Sequence, residues 1–339
     1  MAADMSRVLI EAVVEQTLED FPQFPERSVR RLMDLFLRLA EGRAQYEIFA
    51  AAHRFLADRQ SGFYGLIRGA AADVDRKRLA AFGVNLGYES LLAGADTIRR
   101  AEAREGCFIP WTISLAIDAS TLPQREAAYG ALIDQGRQLG VHTWLLLPAG
   151  GARALLPLAA AYPDCAFLLF CDAEEITEAF LDEAGAVPHL MPVIRYGDSA
   201  AGACAALRQR RLLFSTYLRY READLERLAG GDLFCCAEIL HPAVTFFLAD
   251  DSCPEAVRQA ARGHILEARR QQQYRTILWD VDSDGAYVSR AISGAPCSAA
   301  FAPDGTLHTG PGHPASPETL FQTPLATLLR KALPQCSAI

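Results

Sequence analysis

Apolar residues fall at helical spacing over the first 78 residues of this 339-residue chain and then change rhythm. After Pro25, which suits a first helical turn, Val29, Leu32, Met33, Phe36 and Leu39 or Ala40 share one face until Gly42 can end the helix. A second stripe runs Tyr46, Phe49, Ala50, His53 and Leu56, which makes His53 a packed interior or boundary residue rather than a ligand. From about residue 79, short apolar runs alternate with amphipathic helices. The runs occupy 82–86, 111–117, 143–147, 166–170, 190–194, 212–218, an ambiguous 233–248, and 276–279. In the first helix between runs, Leu91, Ala95, Ile98 and Glu102 lie on one side, with Arg99 and Arg100 outward. Roughly six to eight repeats of this kind predict the α/β class, with a full or partial TIM-like (β/α) barrel. An open dinucleotide-binding sheet is disfavoured because no GxGxxG follows the first run.

The stretch FIPWTISLAIDAS at 108–120 organises this pattern. Its β-branched and aromatic residues, without polar alternation, predict a strand covered on both faces, ending near Asp118. In a (β/α) barrel the loops leaving the carboxyl ends of strands carry the chemistry. Here that loop, Asp118 to Gln124, holds no cysteine, no histidine and no glycine-rich phosphate cradle.

Composition narrows the partners. Lys and Arg number 33 against 41 Asp and Glu, a formal charge of −8 with no basic block, which argues against a nucleic-acid or anionic-membrane surface. The length fits one large α/β domain plus additions. Asp4 and Glu11 interrupt the amino-terminal apolar run, so it does not read as a secretory signal. The most apolar region, 154–171, contains Pro157, Pro163 and Asp164 and cannot span a bilayer. The expected location is the cytoplasm. Nine cysteines are present, and Cys165, Cys171, Cys204, Cys235 and Cys236 sit in apolar runs, where buried reduced thiols are the ordinary outcome.

The polar groups expected at strand ends are Asp118, Asp172, Arg195, Arg219, Glu238 with His241, and Asp280 with Asp282 and Asp284. Asp118, Glu238 and Asp280 are the candidate catalytic residues, since enclosed carboxylates serve as general acid and base. The competing reading is that they cap helices or pair with Arg195 or Arg219. Asp280 to Gly285 starts like a calcium loop, but Ala291 stands where the bidentate glutamate is required. Cys297, His308 and His313 match no zinc spacing, and no metal site is expected.

Several phrases, in their order along residues 25 to 330, give the chain a family likeness. They are IPW at 109–111, GRQLGVHTW at 136–144 and FAPDGTL at 301–307, beside FGVNLGYESLLAGADTIRRAE, DCAFLLF, EEITEAFLDEAG and LWDVDSDG. The chain resembles radical S-adenosylmethionine (radical SAM) proteins with a SPASM-type tail. The resemblance implies a helical segment over 1–78, a radical SAM (β/α) barrel over 79–290 and a SPASM-like tail over 291–339. It also exposes departures. The family places CxxxCxxC after the IPW strand, where three thiolates hold a [4Fe–4S] cluster and the fourth iron takes the cofactor's amino and carboxylate groups. No cysteine stands there in this chain. Cys235 and Cys236, adjacent on an expected strand, would point to opposite faces, and Cys253, Cys297 and Cys336 are dispersed.

The family's cofactor-facing turns fall on Gly150 and Gly151, without the usual acidic residue, and on Asp172, with Arg195 beyond; these four are the candidate cofactor-binding residues. In the tail, Ala291 and His308 occupy auxiliary-cluster positions with Cys297 displaced between them. These departures imply no working cofactor, no [4Fe–4S] cluster and at most weak S-adenosylmethionine binding. The implied function is a pseudoenzyme serving as partner, scaffold or substrate-binding subunit of a peptide- or metabolite-modifying system, with a protein, small molecule or peptide as its partner. The alternative is a genuine enzyme, using either relocated cysteine ligands or the strand-end carboxylates. Oligomeric state stays open.

Overall fold

In the computed structural model, which describes residues 2–58, 60–250, 252–310 and 316–335, seven parallel strands follow one another in chain order. They are β1 (Thr112–Asp118), β2 (Thr143–Ala149), β3 (Ala166–Cys171), β4 (Leu190–Arg195), β5 (Ser215–Tyr220), β6 (Val244–Ala249) and β7 (Ile277–Asp280). On its other side β1 pairs in parallel with β8 (Ala299–Phe301), which forms an antiparallel pair with β9 (Leu307–His308). The sheet order is β7-β6-β5-β4-β3-β2-β1-β8-β9, so β1 and β7 do not meet and the barrel is partial.

Alternation along each strand divides the core into two layers. Trp144, Leu146, Phe167, Leu169, Leu190 and Ile194 face outward onto the helices. Leu145, Leu168, Phe170, Met191, Val193 and Phe246 face the barrel interior. On β1, Ile113, Leu115 and Ile117 are fully buried in the outer layer, whereas the alternate residues Ser114, Ala116 and Asp118 are only half-buried. The strand predicted over 111–117 is present, with one face sealed rather than two.

The run at 82–86, expected as a strand, is helical. It belongs to the helix Arg76–Val84, which continues as a π-helical segment Asn85–Gly94. Asp75 caps that helix, its carboxylate accepting from the Lys77 N–H at 2.9 Å. The run is apolar because it plugs the barrel: Val74 and Phe82 pack into the interior layer beside Leu145 and Phe170. Around this plug the buried Arg78 guanidinium donates to the carbonyls of Ala184, Gly185 and Val187, and Asn85 donates to those of Pro163 and Cys165. These carbonyls precede β3 and β4, so the amino ends of the strands are closed off. The plug also demands glycine at a close crossing, since a Cβ on Gly94 would lie 2.6 Å from the Gly140 carbonyl oxygen.

The open side, between β7 and the β1–β8 pair, is covered by the helix Val281–Ser293. Asp280 caps its start, accepting from the Ser283 N–H at 2.8 Å. Asp284 makes a two-pronged ion pair with Arg269, at 2.9 and 2.8 Å, and accepts from the Asp280 N–H. Arg269 also donates to the Leu278 carbonyl at 3.1 Å. Backbone groups on the unpaired edge of β7 thus find side-chain partners in place of a neighbouring strand. At the far side of the gap, Trp111 donates its indole N–H to the Gly285 carbonyl. The ambiguous run 233–248 resolves into the helix Asp232–Glu238 followed by β6.

Candidate active-site cleft at the strand carboxyl ends

With the amino ends plugged, the interior opens at the opposite end. There a cleft of about 140 Å³ is lined by Leu147 and Pro148 of β2, Phe170 and Cys171 of β3, Asp172 and Glu175 just beyond, Tyr217 and Arg219 of β5, and Leu248 of β6. Its floor is aromatic: Phe170 meets Tyr217 edge to face with centroids 5.2 Å apart, and lies 6.1 Å from Phe246. Its rim is polar. Asp172 faces Arg195 at 3.6 Å, an exposed and loose pair. Glu175 is tied down, its two oxygens accepting from the Ala152 and Asp172 N–H groups at 2.7 and 2.8 Å. Burial, followed by the nearby Asp172 carboxylate, pushes the Tyr217 phenol up to about 12, so it stays an O–H donor at neutral pH.

The structure brings together part of the predicted site. Gly150, Gly151, Asp172 and Arg195 all lie at the carboxyl ends of β2, β3 and β4. Gly150 and Gly151 adopt φ of +83° and +132°, and a Cβ on either would meet nothing within 4 Å, so this turn leaves open space above the sheet.

The three carboxylates proposed as catalytic are dispersed. Asp118 sits at the end of β1, where its Oδ1 accepts from the Ser120 N–H at 2.9 Å and hydroxyl at 2.7 Å, which lowers its pKa. Glu238 does not reach the mouth: it ends a helix that leads into β6 and accepts from the Arg275 N–H, just before β7. Asp280 stands at a strand end but on the outward face, register-paired with Phe247, where it accepts from the Tyr220 hydroxyl at 3.3 Å and caps the closing helix. The same network, rather than a calcium site, accounts for the acidic run at 280–284.

Tyr217 and Glu175 are the site residues that sequence reasoning passed over. Tyr217 was legible in principle, being two residues before Arg219 and so on the same face of a strand. Glu175 was not, because its role depends on an N–H from another loop.

Among the described residues the thiols do not assemble into an iron site; Cys336 and His313 lie outside those residues. Cys107, Cys165, Cys171, Cys204, Cys253 and Cys297 are buried, Cys236 is half-buried and Cys235 is exposed. Burial pushes Cys107 up to about 11 and Cys204 and Cys297 up to about 12, away from the thiolate form that a cluster needs. Cys235 and Cys236 lie on a helix, not on the expected strand. Among the described residues no three His, Cys, Asp or Glu side chains group so as to hold a metal ion. The described residues therefore do not fit a [4Fe–4S] cluster. Among those residues, too, no helix is long and apolar enough to cross a membrane.

No protein-family model matches the chain, and no curated protein does. Solved structures do. The chain is similar to Streptococcus suis SuiB bound to S-adenosylmethionine, with TM-score 0.51 and 9% identity over 70% of this chain and 68% of SuiB. It is also similar to SuiB bound to the precursor peptide SuiA, with TM-score 0.50 and 9% identity over 70% of this chain and 69% of SuiB. The first comparison corrects the expectation that no cofactor is involved. A chain of this fold holds S-adenosylmethionine, so the empty loop after β1 does not license a cofactor-free reading. These likenesses show the fold: a partial (β/α) barrel like that of SuiB.

Proposed function

We propose that this chain is a peptide-binding subunit of a peptide-modifying system, a radical-SAM-type barrel that recognises its ligands at the strand carboxyl ends without assembling a cluster. The observation that carries the reading is the combination at one face: an open, polar-rimmed cleft is kept, while the loop from Asp118 carries no thiolate. The SuiB structures with S-adenosylmethionine and with a precursor peptide support it as examples of what this fold accommodates. The Gly150–Gly151 turn over β2 leaves room for a ligand, and the loose, exposed Asp172–Arg195 pair over β3 and β4 carries the charges that an amino and a carboxylate group would meet on parting it. Those four residues are the proposed cofactor side of the cleft, and Tyr217, Arg219 and Leu248 the proposed peptide side.

Anaerobic reconstitution with iron and sulfide, followed by calorimetry with S-adenosylmethionine, tests this. The expected result is substoichiometric iron, no cleavage of the sulfonium, and cofactor binding that Asp172→Asn weakens. A brown protein that cleaves S-adenosylmethionine would establish the radical enzyme instead. Absence of heat on titration would remove the cofactor from the proposal.

A further inference from the structure

The charges around the cleft are not equally engaged. Among the described residues each carboxylate on its rim has a partner. Glu175 holds two backbone N–H groups, and Asp172 faces Arg195. The Ser199 hydroxyl holds the Glu174 carboxyl below its usual range, and Asp250, at the end of the neighbouring β6, accepts from the Ser252 N–H at 3.2 Å and hydroxyl at 2.7 Å, with Arg221 and Arg219 near enough to help lower its pKa. Asp118 is occupied by Ser120 in the same way. On the donor side, Arg195 is matched to Asp172. Arg219 and the Tyr217 hydroxyl are not: among the described residues neither has a hydrogen bond or an ion pair within 4.0 Å, and both line the cleft. Lying two residues apart on β5, they project from the same face, above the aromatic floor formed by Phe170. A guanidinium fork beside a phenolic O–H, next to acceptors that are all in use, is a receptor for an anion, and a carboxylate matches the fork in two-pronged geometry.

We infer that the peptide taken by this cleft is anchored by a carboxylate, received by Arg219 and Tyr217, with an apolar portion laid against Leu147 and Leu248. This rests on the peptide-binding reading above. The carboxylate comes either from an Asp or Glu side chain or from a free carboxyl terminus, and the test separates the two.

Random peptides displayed in two libraries, one as internal fusions and one with a free carboxyl terminus, are selected on the full-length protein. The best binders are then made synthetically in free-acid and amidated forms and measured by fluorescence polarisation against wild type, Arg219→Met, Arg219→Lys and Tyr217→Phe. Selected sequences rich in Asp or Glu, losing about tenfold or more in affinity on Arg219→Met and less on Arg219→Lys, are expected, because the lost contact is a charge-assisted hydrogen bond. Replacement of the acidic residue by its amide, Asp by Asn or Glu by Gln, should cost the same factor in wild type and nothing further in Arg219→Met. If amidation rather than side-chain replacement removes affinity, the terminus is the source. Binders that keep their affinity after both amidation and replacement of every acidic side chain, or that ignore Arg219→Met while circular dichroism shows an unchanged fold, overturn this inference and leave peptide binding standing. No enrichment over bare support overturns the peptide-binding reading, and this inference with it.

Discussion

Tyr217 and Tyr220 lie three residues apart on β5 and are put to opposite uses. Tyr217 faces inward and keeps a free hydroxyl in the cleft, beside an Arg219 that has no close partner among the described residues. Tyr220 faces outward, is fully buried, and gives its hydroxyl to Asp280 in the network that ties Asp280, Asp284 and Arg269 together at the open edge of the barrel. Both regions set tyrosine, arginine and carboxylate at strand ends. One saturates every group and so holds the barrel shut. The other leaves donors over, which costs little where water can reach them and makes them available to a ligand. Residue type alone does not mark a site; unspent hydrogen-bonding capacity on an accessible face does.

Four experiments sharpen that contrast, beginning with the largest expected effect. Asp284→Ala leaves Arg269 buried without its partner and should destabilise the fold by about 3 to 5 kcal/mol, read from urea denaturation; a loss near zero would mean the edge network does not close the barrel. Asp280→Ala removes a helix cap and strands the Tyr220 hydroxyl, with an expected cost of about 2 kcal/mol by the same measurement.

Glu102 tests the far end of the closing helix. Its carboxyl is 4% exposed and accepts from the Ile109 N–H at 2.8 Å. Burial raises its pKa above the usual 4.5, opposed by the Ile109 N–H, by Ser293 and by Arg99. The folded state therefore holds the proton more tightly than the unfolded chain. This contribution to stability is fully present below pH 4.5 and is lost as pH rises through the raised folded value. Glu102→Gln should flatten that part of the pH profile of Tm, and an unchanged slope would remove Glu102 as its source.

The smallest effect on stability belongs to the cleft. Arg219→Ala should change it by no more than about 0.5 kcal/mol, since its exposed side chain makes no hydrogen bond or close ion pair among the described residues. A large loss there would place Arg219 in the structural region and erase the contrast.

The likeness in IPW and in the helix-to-strand phrase at 136–144 pointed toward the fold, and six of the apolar runs became strands β1 to β5 and β7 with small shifts at their ends. The run at 82–86 misled because an interior plug and a buried strand are apolar for the same reason, exclusion of water, and five residues are too few for the period to separate them. Of the site, Asp172, Arg195 and the Gly150–Gly151 turn were legible as positions after strands. Glu238 and Asp280 were misplaced: one occupies the wrong end of a strand, the other the wrong face.

What the sequence determined by itself is therefore periodicity, the alternation of strand and helix, and the absence of thiolates directly after β1, because each is a property of neighbours along the chain. Only the tertiary structure decided which strand-end charges are spent and which are spare. Hydrogen-bond partners such as Ala152 for Glu175, or Arg269 for Asp284, come from segments 23 and 15 residues away. Whether a donor is left over is fixed by what packs beside it, and no local pattern records that.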